Sequence, residues 1–248
     1  MELARGQRFE ILHLLGSGGM GMVYEALDHE RHTRVALKTL RSLEAGALLR
    51  FKNEFRAIAH VHHPNLVRLG ELLEENGKLY FTMELVRGMH LLDYVCPGSA
   101  AGVAASQSAS ERSTIDLRHV GRRNIAVPAV QPFDEARLRY AFGQVATGLA
   151  ALHAMQRVHR DIKPSNVLVT ETNRVVILDF GLVQDVTRDD VDDSIVGTAH
   201  YMAPEQAAGR AVGPEVDWYS LGAMLYVALT GAYPFQVADE AVARLKQR

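Results

Sequence analysis

The sequence predicts an α+β protein in two parts, a small antiparallel sheet with one main helix followed by a mainly helical half. Three observations predict it. From Phe9 to about Leu85, apolar residues fall in short alternating or continuous runs broken by Gly, Asn and charged turns, which is the signature of strands. One stretch inside that region changes period, with Leu48, Leu49, Phe51, Phe55, Ile58 and Ala59 spaced three and four apart, as on one face of a helix. Beyond Pro132 the helical period takes over.

In chain order, FEILHLLG, MVYEAL, RVALKTL, NLVRLGELLE and KLYFTMEL are the expected strands. The helix among them carries Glu54 beside its apolar stripe. A second helix opens at Asp134, an N-cap residue type, and runs through Leu138, Phe142, Val145, Leu149 and Leu152. A third, Asp217 to Thr230, is apolar nearly all round and is therefore expected to be buried. Residues 97–132 are small and polar at first, then basic, and close on prolines. They are read as a flexible insertion, because loops beyond about 12–15 residues are uncommon inside compact domains.

Composition narrows the function. The chain has 248 residues, 48% of them hydrophobic, enough for a sizeable core. A formal net charge of -2 lacks the basic footprint of a nucleic-acid binder. One cysteine, Cys96, rules out an internal disulfide framework and fits a reducing compartment. No apolar run of about 18 residues is present, and MELARGQRFEIL lacks a signal-peptide core. The segment is read as cytoplasmic, with any membrane anchor lying outside it.

The chemistry begins at GSGGMGMV, where Gly16, Gly18 and Gly21 are spaced G-x-G-x-x-G, with Ser17 and Gly19 between them. Dinucleotide-binding folds use the same string, but there it leads from a strand into a helix. Here MVYEALD reads as a second strand, so the glycines sit at a hairpin tip, where bare backbone N–H groups can approach phosphates. VALK sets Lys38 in the next strand, within reach of the same phosphates, and Glu54 is the expected partner that orients it.

HRDIKPSNVLV follows, with Asp161 five positions before Asn166. That spacing suits a turn in which a carboxylate takes a proton while an amide oxygen ligates a hard cation. Lys163 between them suits neutralisation of a transferred phosphoryl group. VVILDFGL places Asp179 at the end of an apolar strand, a position for a second cation ligand.

Taken in order, GSGGMGMV, VALK, Glu54, HRDIKPSN, DFG and APE (Ala203 to Glu205) resemble the eukaryotic-type protein kinase family, from about Phe9 to the chain end. The resemblance implies a bilobal fold, with an N-lobe over 9–86 and a C-lobe over 87–248. It implies ATP and Mg²⁺ as cofactors. Lys38 then contacts the α- and β-phosphates, Asp161 is the base, and Asn166 and Asp179 hold the metal. Glu84 to Val86 become the hinge that meets adenine, with Met83 as gatekeeper, and Val23, Ala36 and Leu168 sandwich the ring. Ile58, Leu69, His159 and Phe180 form a second apolar stack. DIKPSN and GTAHYMAPE resemble Ser/Thr kinases, above all bacterial ones, with Thr198 beside Asp161 and Lys163. The APE segment argues for protein substrates, the chain itself in trans among them. QDVTRDDVDDSIVGTAHY resembles an activation loop, with Ser194 and then Thr187 as phosphorylation candidates, Arg160 as the receiving cation, and Asp185, Asp189, Asp190, Asp192 and Asp193 read as solvating charges ahead of the alternative that they partly replace the phosphate.

A pseudokinase scaffold is the alternative, opposed by the complete catalytic set. A small-molecule phosphotransferase is opposed by the APE segment. His60, His62 and His63 lack a fourth ligand at zinc spacing. Family members continue through further helices after GAYPF, so the C-lobe is expected to be truncated and the chain a fragment.

Overall fold

A computed structural model describes residues 8–18, 21–40, 45–75, 78–98, 132–179 and 200–234. The α+β arrangement in two parts is the one the sequence implies. The first part is a five-stranded antiparallel sheet in the order β1-β2-β3-β5-β4, made of β1 (Phe9–Gly18), β2 (Gly21–Asp28), β3 (Thr33–Thr39), β4 (Leu69–Glu75) and β5 (Lys78–Met83). Helix α1 (Ala45–Ile58) lies between β3 and β4 in the chain.

Register decides what each face of this sheet does, since residues opposite one another project to the same side. Val23 faces Lys38, Ala36 faces Met83, and Lys38 faces Phe81, so these five share the inner face. The outer face carries Tyr24 opposite Leu37 and Leu37 opposite Thr82. Phe9, Ala26, Leu37 and Tyr80 form a small apolar cluster of their own. On the inner side Phe51, Phe55 and Phe81 stack at centroid distances of 5.4 to 6.2 Å and anchor α1 to the sheet.

The second part contains a three-stranded sheet of β6 (Met89–His90), β7 (Val167–Val169) and β8 (Val175–Ile177), and helices α2 (Leu91–Val95), α3 (Glu135–Ala154), α4 (Pro204–Ala207) and α5 (Glu215–Thr230). Asp134 caps α3 as expected, its side chain accepting from the Arg137 N–H at 3.0 Å. Helix α5 starts two positions before the expected Asp217, and its Val216, Met224 and Ala228 are fully buried. Gly231 ends it in the left-handed conformation, φ 71°, which glycine adopts without a Cβ penalty.

One core runs through both parts, from Ala36, Phe51 and Met83 to Leu149, Ile162, Ile177 and Met224. Main-chain bonds cross it: Val67 N–H donates to Ile177 O, and Ile177 N–H to Asn65 O, each at 2.9 Å. No helix among the described residues is long and apolar enough to span a membrane. Gly19, Phe180, Thr187, Ser194, Thr198, the five loop aspartates and most of the 97–132 insertion lie outside the described residues.

Candidate active site

The glycine-bearing strands make the expected hairpin. Gly16 opposes Val23, Ser17 opposes Met22 and Gly18 opposes Gly21, so this is a strand–turn–strand and not the strand–turn–helix of dinucleotide sites. Gly21 is required by space as well as by conformation: at φ 139°, a Cβ there would stand 1.9 Å from the Thr39 carbonyl oxygen. Glycine here lets the start of β2 lie close against Thr39 of β3, one residue from Lys38.

Lys38 is buried, and its Nζ donates to Asp179 Oδ1 at 2.6 Å. Among the described ion pairs, the one made by Lys38 is with the strand-end aspartate. Glu54 lies half-buried on α1, the helix that the phenylalanine stack holds to the sheet. Asp179 itself sits at φ 51°, a conformation that costs a non-glycine residue of order 1–3 kcal/mol and collects at functional sites.

Asp161, Lys163 and Asn166 converge around the short 3₁₀ turn Pro164–Asn166. Lys163 Nζ lies 2.9 Å from Asp161 Oδ2, and the Asn166 amide donates to the same oxygen at 2.9 Å and to the Asp161 carbonyl at 2.8 Å. The other carboxylate oxygen, Asp161 Oδ1, is buried and has no hydrogen-bond partner among the described residues. An unsatisfied buried carboxylate oxygen is costly, and here it is the one acceptor of that side chain left open for an outside donor. With the Asn166 nitrogen committed, its amide oxygen is the part of the side chain left for a ligand.

The loop holding Asp161 is fastened from beneath by a residue whose role the sequence reading did not assign. Asp217, fully buried on α5, accepts from the His159 N–H at 2.8 Å, the Arg160 N–H at 2.7 Å and His153 Nε2 at 2.7 Å. Arg160 is held there at φ 66°, and its carbonyl accepts from Gln206 Nε2 at 2.7 Å. The His159 ring joins the two halves of the site: Asp161 N–H donates to its Nδ1 at 3.2 Å, so Nε2 carries the proton and donates to Leu178 O at 2.7 Å, next to Asp179. A carboxylate inside an otherwise apolar buried helix was the available sequence signal for Asp217, because such a group needs donors close by.

Val23, Ala36 and Met83 lie on the inner sheet face, and half-buried Leu168 on β7 pairs across the strands with His90. Glu84 N–H is taken by the Arg68 carbonyl at 2.9 Å. Arg174 forks onto the Glu84 carboxylate, with Nη2 to Oε2 at 3.0 Å, and holds that carboxyl below its usual range. Gly88 follows the hinge where a Cβ would meet the Val169 carbonyl at 2.3 Å. His62 Nδ1 contacts the His60 carbonyl, and His63 Nδ1 accepts from Asn65 N–H. Among the described residues no group of His, Cys, Asp and Glu is placed to hold a metal by itself.

The sequence profile of the protein kinase domain matches residues 9–247. The chain belongs to the protein kinase family. Among curated relatives of this kinase, serine/threonine-protein kinase PrkC of Bacillus subtilis is 30% identical over 92% of the chain and 31% of its own length. Serine/threonine-protein kinase pkn2 of Myxococcus xanthus is 34% identical over 92% of the chain and 25% of its own. PknA of Mycobacterium tuberculosis is 33% identical over 92% and 48%. The kinase chain thus spans between a quarter and a half of these relatives' lengths. The Mycobacterium tuberculosis PknI kinase domain shares the fold, with a TM-score of 0.64 at 24% identity, over 95% of this chain and 80% of that one.

Proposed function

We propose that this kinase region transfers the γ-phosphate of ATP, in the presence of Mg²⁺, to serine and threonine hydroxyls of proteins, its own activation segment in trans among them. The observation that carries the reading is Asp161, with one oxygen fixed by Lys163 and Asn166 and the other buried and open. An oriented carboxylate with a vacant oxygen suits acceptance of a hydroxyl proton, an effect worth about 10²–10⁴ in rate.

The remaining roles follow from the chemistry of the groups. Lys38 and the Gly16, Ser17, Gly18, Gly19 and Gly21 turn bind the nucleotide phosphates, with Glu54 and Asp179 bearing on the position of the lysine. Lys163 neutralises charge at the transferred phosphoryl, and Thr198 lines the same site. The Asn166 amide oxygen and the Asp179 carboxylate are hard oxygen donors, the set that Mg²⁺ prefers. When bound, Mg²⁺ supplies neutralisation of phosphate charge and orientation of the γ-phosphoryl group. Val23, Ala36, Met83 and Leu168 enclose the adenine, whose edge meets the Glu84 carbonyl and the Val86 N–H. Ser194 and Thr187 are the candidate acceptors within the chain, and the reaction is set in the cytoplasm.

The test is transfer of labelled γ-phosphate from Mg·ATP to a generic basic protein and to the chain itself, with Asp161→Asn as control. Label on serine or threonine that disappears in the control, with nucleotide affinity kept within about twofold, supports the assignment. Undiminished transfer by Asp161→Asn would refute it.

A further inference from the structure

We infer that Arg174, acting through Glu84, is a positioning residue for adenine, a brace from the β7–β8 turn that fixes the hinge peptide against which the base is read. The inference rests on the reading that the Glu84 carbonyl and the Val86 N–H receive adenine.

Position 84 is held at its backbone and at its side chain. Its N–H donates to the Arg68 carbonyl at 2.9 Å, which fixes the backbone where the hinge begins. Its carboxylate takes two guanidinium nitrogens, Arg174 Nη1 at 2.5 Å and Nη2 at 3.0 Å. The third donor of the same fork, Arg174 Nε, reaches the Pro64 carbonyl at 2.7 Å. One planar cation therefore joins the hinge to the segment between α1 and β4. A planar fork with fixed donors gives direction as well as attraction, which an ammonium does not.

The base of that arginine is itself held. Arg174 N–H donates to Thr170 Oγ1 at 3.1 Å, and the Arg174 carbonyl accepts from Thr170 N–H at 2.9 Å. Asn173 sits in the left-handed conformation at φ 61°, a turn position asparagine tolerates. Its carbonyl accepts from Gln144 Nε2 at 2.9 Å and its side-chain oxygen from the Tyr94 hydroxyl at 3.0 Å. The brace thus starts from a turn tied to α3 and α2 and ends on the hinge, crossing between the two parts of the molecule. A half-buried ion pair that solvent still reaches adds only modestly to global stability. Positioning is a different matter, because a displacement of about 1 Å in a binding group can cost up to about 10²-fold.

The experiment measures binding of adenosine, Mg·ADP and Mg·tripolyphosphate to the full chain by calorimetry, for wild type, Arg174→Met, Arg174→Lys and Glu84→Gln, with thermal melting run alongside. Expected is a loss of about tenfold in adenosine and Mg·ADP affinity for Arg174→Met and Glu84→Gln, tripolyphosphate affinity unchanged, and partial recovery in Arg174→Lys, which keeps charge but not the fork. In transfer assays KM for ATP rises in Arg174→Met while kcat stays within about twofold. Adenosine binding equal to wild type in a folded Arg174→Met overturns the inference, as does a parallel loss of tripolyphosphate. Should Arg174→Met fail to fold, Glu84→Gln and Arg174→Lys decide by the same criteria. Wild type that binds tripolyphosphate but not adenosine overturns the hinge reading itself, an outcome separable from failure of the brace.

Discussion

Asp217 and Arg160 are joined by a hydrogen bond of 2.7 Å, from the Arg160 backbone N–H to a side-chain carboxylate oxygen with no exposure to solvent. This bond, with its neighbour at His159, is what keeps Arg160 in the left-handed region and so aims Asp161. Removing the charge should release that strain. Asp217→Asn puts an NH2 where one of the two carboxylate oxygens accepts a backbone N–H, and it is expected to cost about 1–3 kcal/mol of stability. Its kcat should fall at least about tenfold, with KM for ATP little changed. Chemical denaturation and initial-rate kinetics check both; unchanged kcat would mean the loop holds its shape without this anchor.

Phe51 is fully buried and stacks on Phe55 and Phe81 at 6.1 and 6.2 Å. Phe51→Ala removes a whole ring from the α1–sheet contact, a loss of about 3–5 kcal/mol in comparable cores. Because Glu54 rides on the same helix, activity should fall before the chain unfolds. A urea titration followed by phosphate transfer at low urea tests that order of events.

Asp28 is buried and held by Arg8, whose Nε and Nη2 donate at 3.2 and 3.0 Å. Arg8 and the backbone N–H groups of Arg31 and Glu30 keep its carboxyl below the usual range. A carboxyl depressed in the folded state contributes stability that is present above its unfolded pKa, about 3.9, and is lost as pH falls through the folded value. Wild type should therefore lose melting temperature on acidification below about pH 4 more steeply than Asp28→Asn, while the variant is the less stable of the two at neutral pH. Parallel acid limbs in the two melting profiles would remove Asp28 from the acid response.

Cys96 is the only cysteine in the chain and is buried. Burial, helped by Asp93, pushes its thiol up, so little thiolate is present near neutrality. Iodoacetamide is expected to leave the folded protein unmodified over hours and to alkylate it within minutes in denaturant, as read by mass. Rapid native alkylation would show that the α2 end opens readily.

Much of this site could be read directly from the sequence because the chemistry demands particular residue types at close spacing. Lys38, Asp161, Lys163, Asn166 and Asp179 were each found from local strings, and the structure brings them into two linked clusters. What local strings do not carry is pairing across long separations. Lys38 and Asp179 are 141 positions apart, and nothing in VALK points to that aspartate. Asp217 was hidden for another reason: at the start of a helix an aspartate reads as a first-turn residue that favours the dipole, although here it serves the loop beneath Asp161. The two-residue β6 and the five-residue α2 are too short for any periodicity to register.

The backbone bonds of Asn65 and Val67 to Ile177, together with the side-chain amide of Asn65 on the Val175 carbonyl 110 positions away, bear on how this molecule comes to be folded. Such contacts cannot form until most of the chain has left the ribosome, so loop-closure entropy is spent before they return anything. A fragment cut at the hinge would carry its sheet but lack the partner strand for 65–67, leaving those amides to water. Folding of the first part is for that reason tied to synthesis of the second, and pulse-labelled nascent chains should gain protease resistance only after residue 177 has emerged.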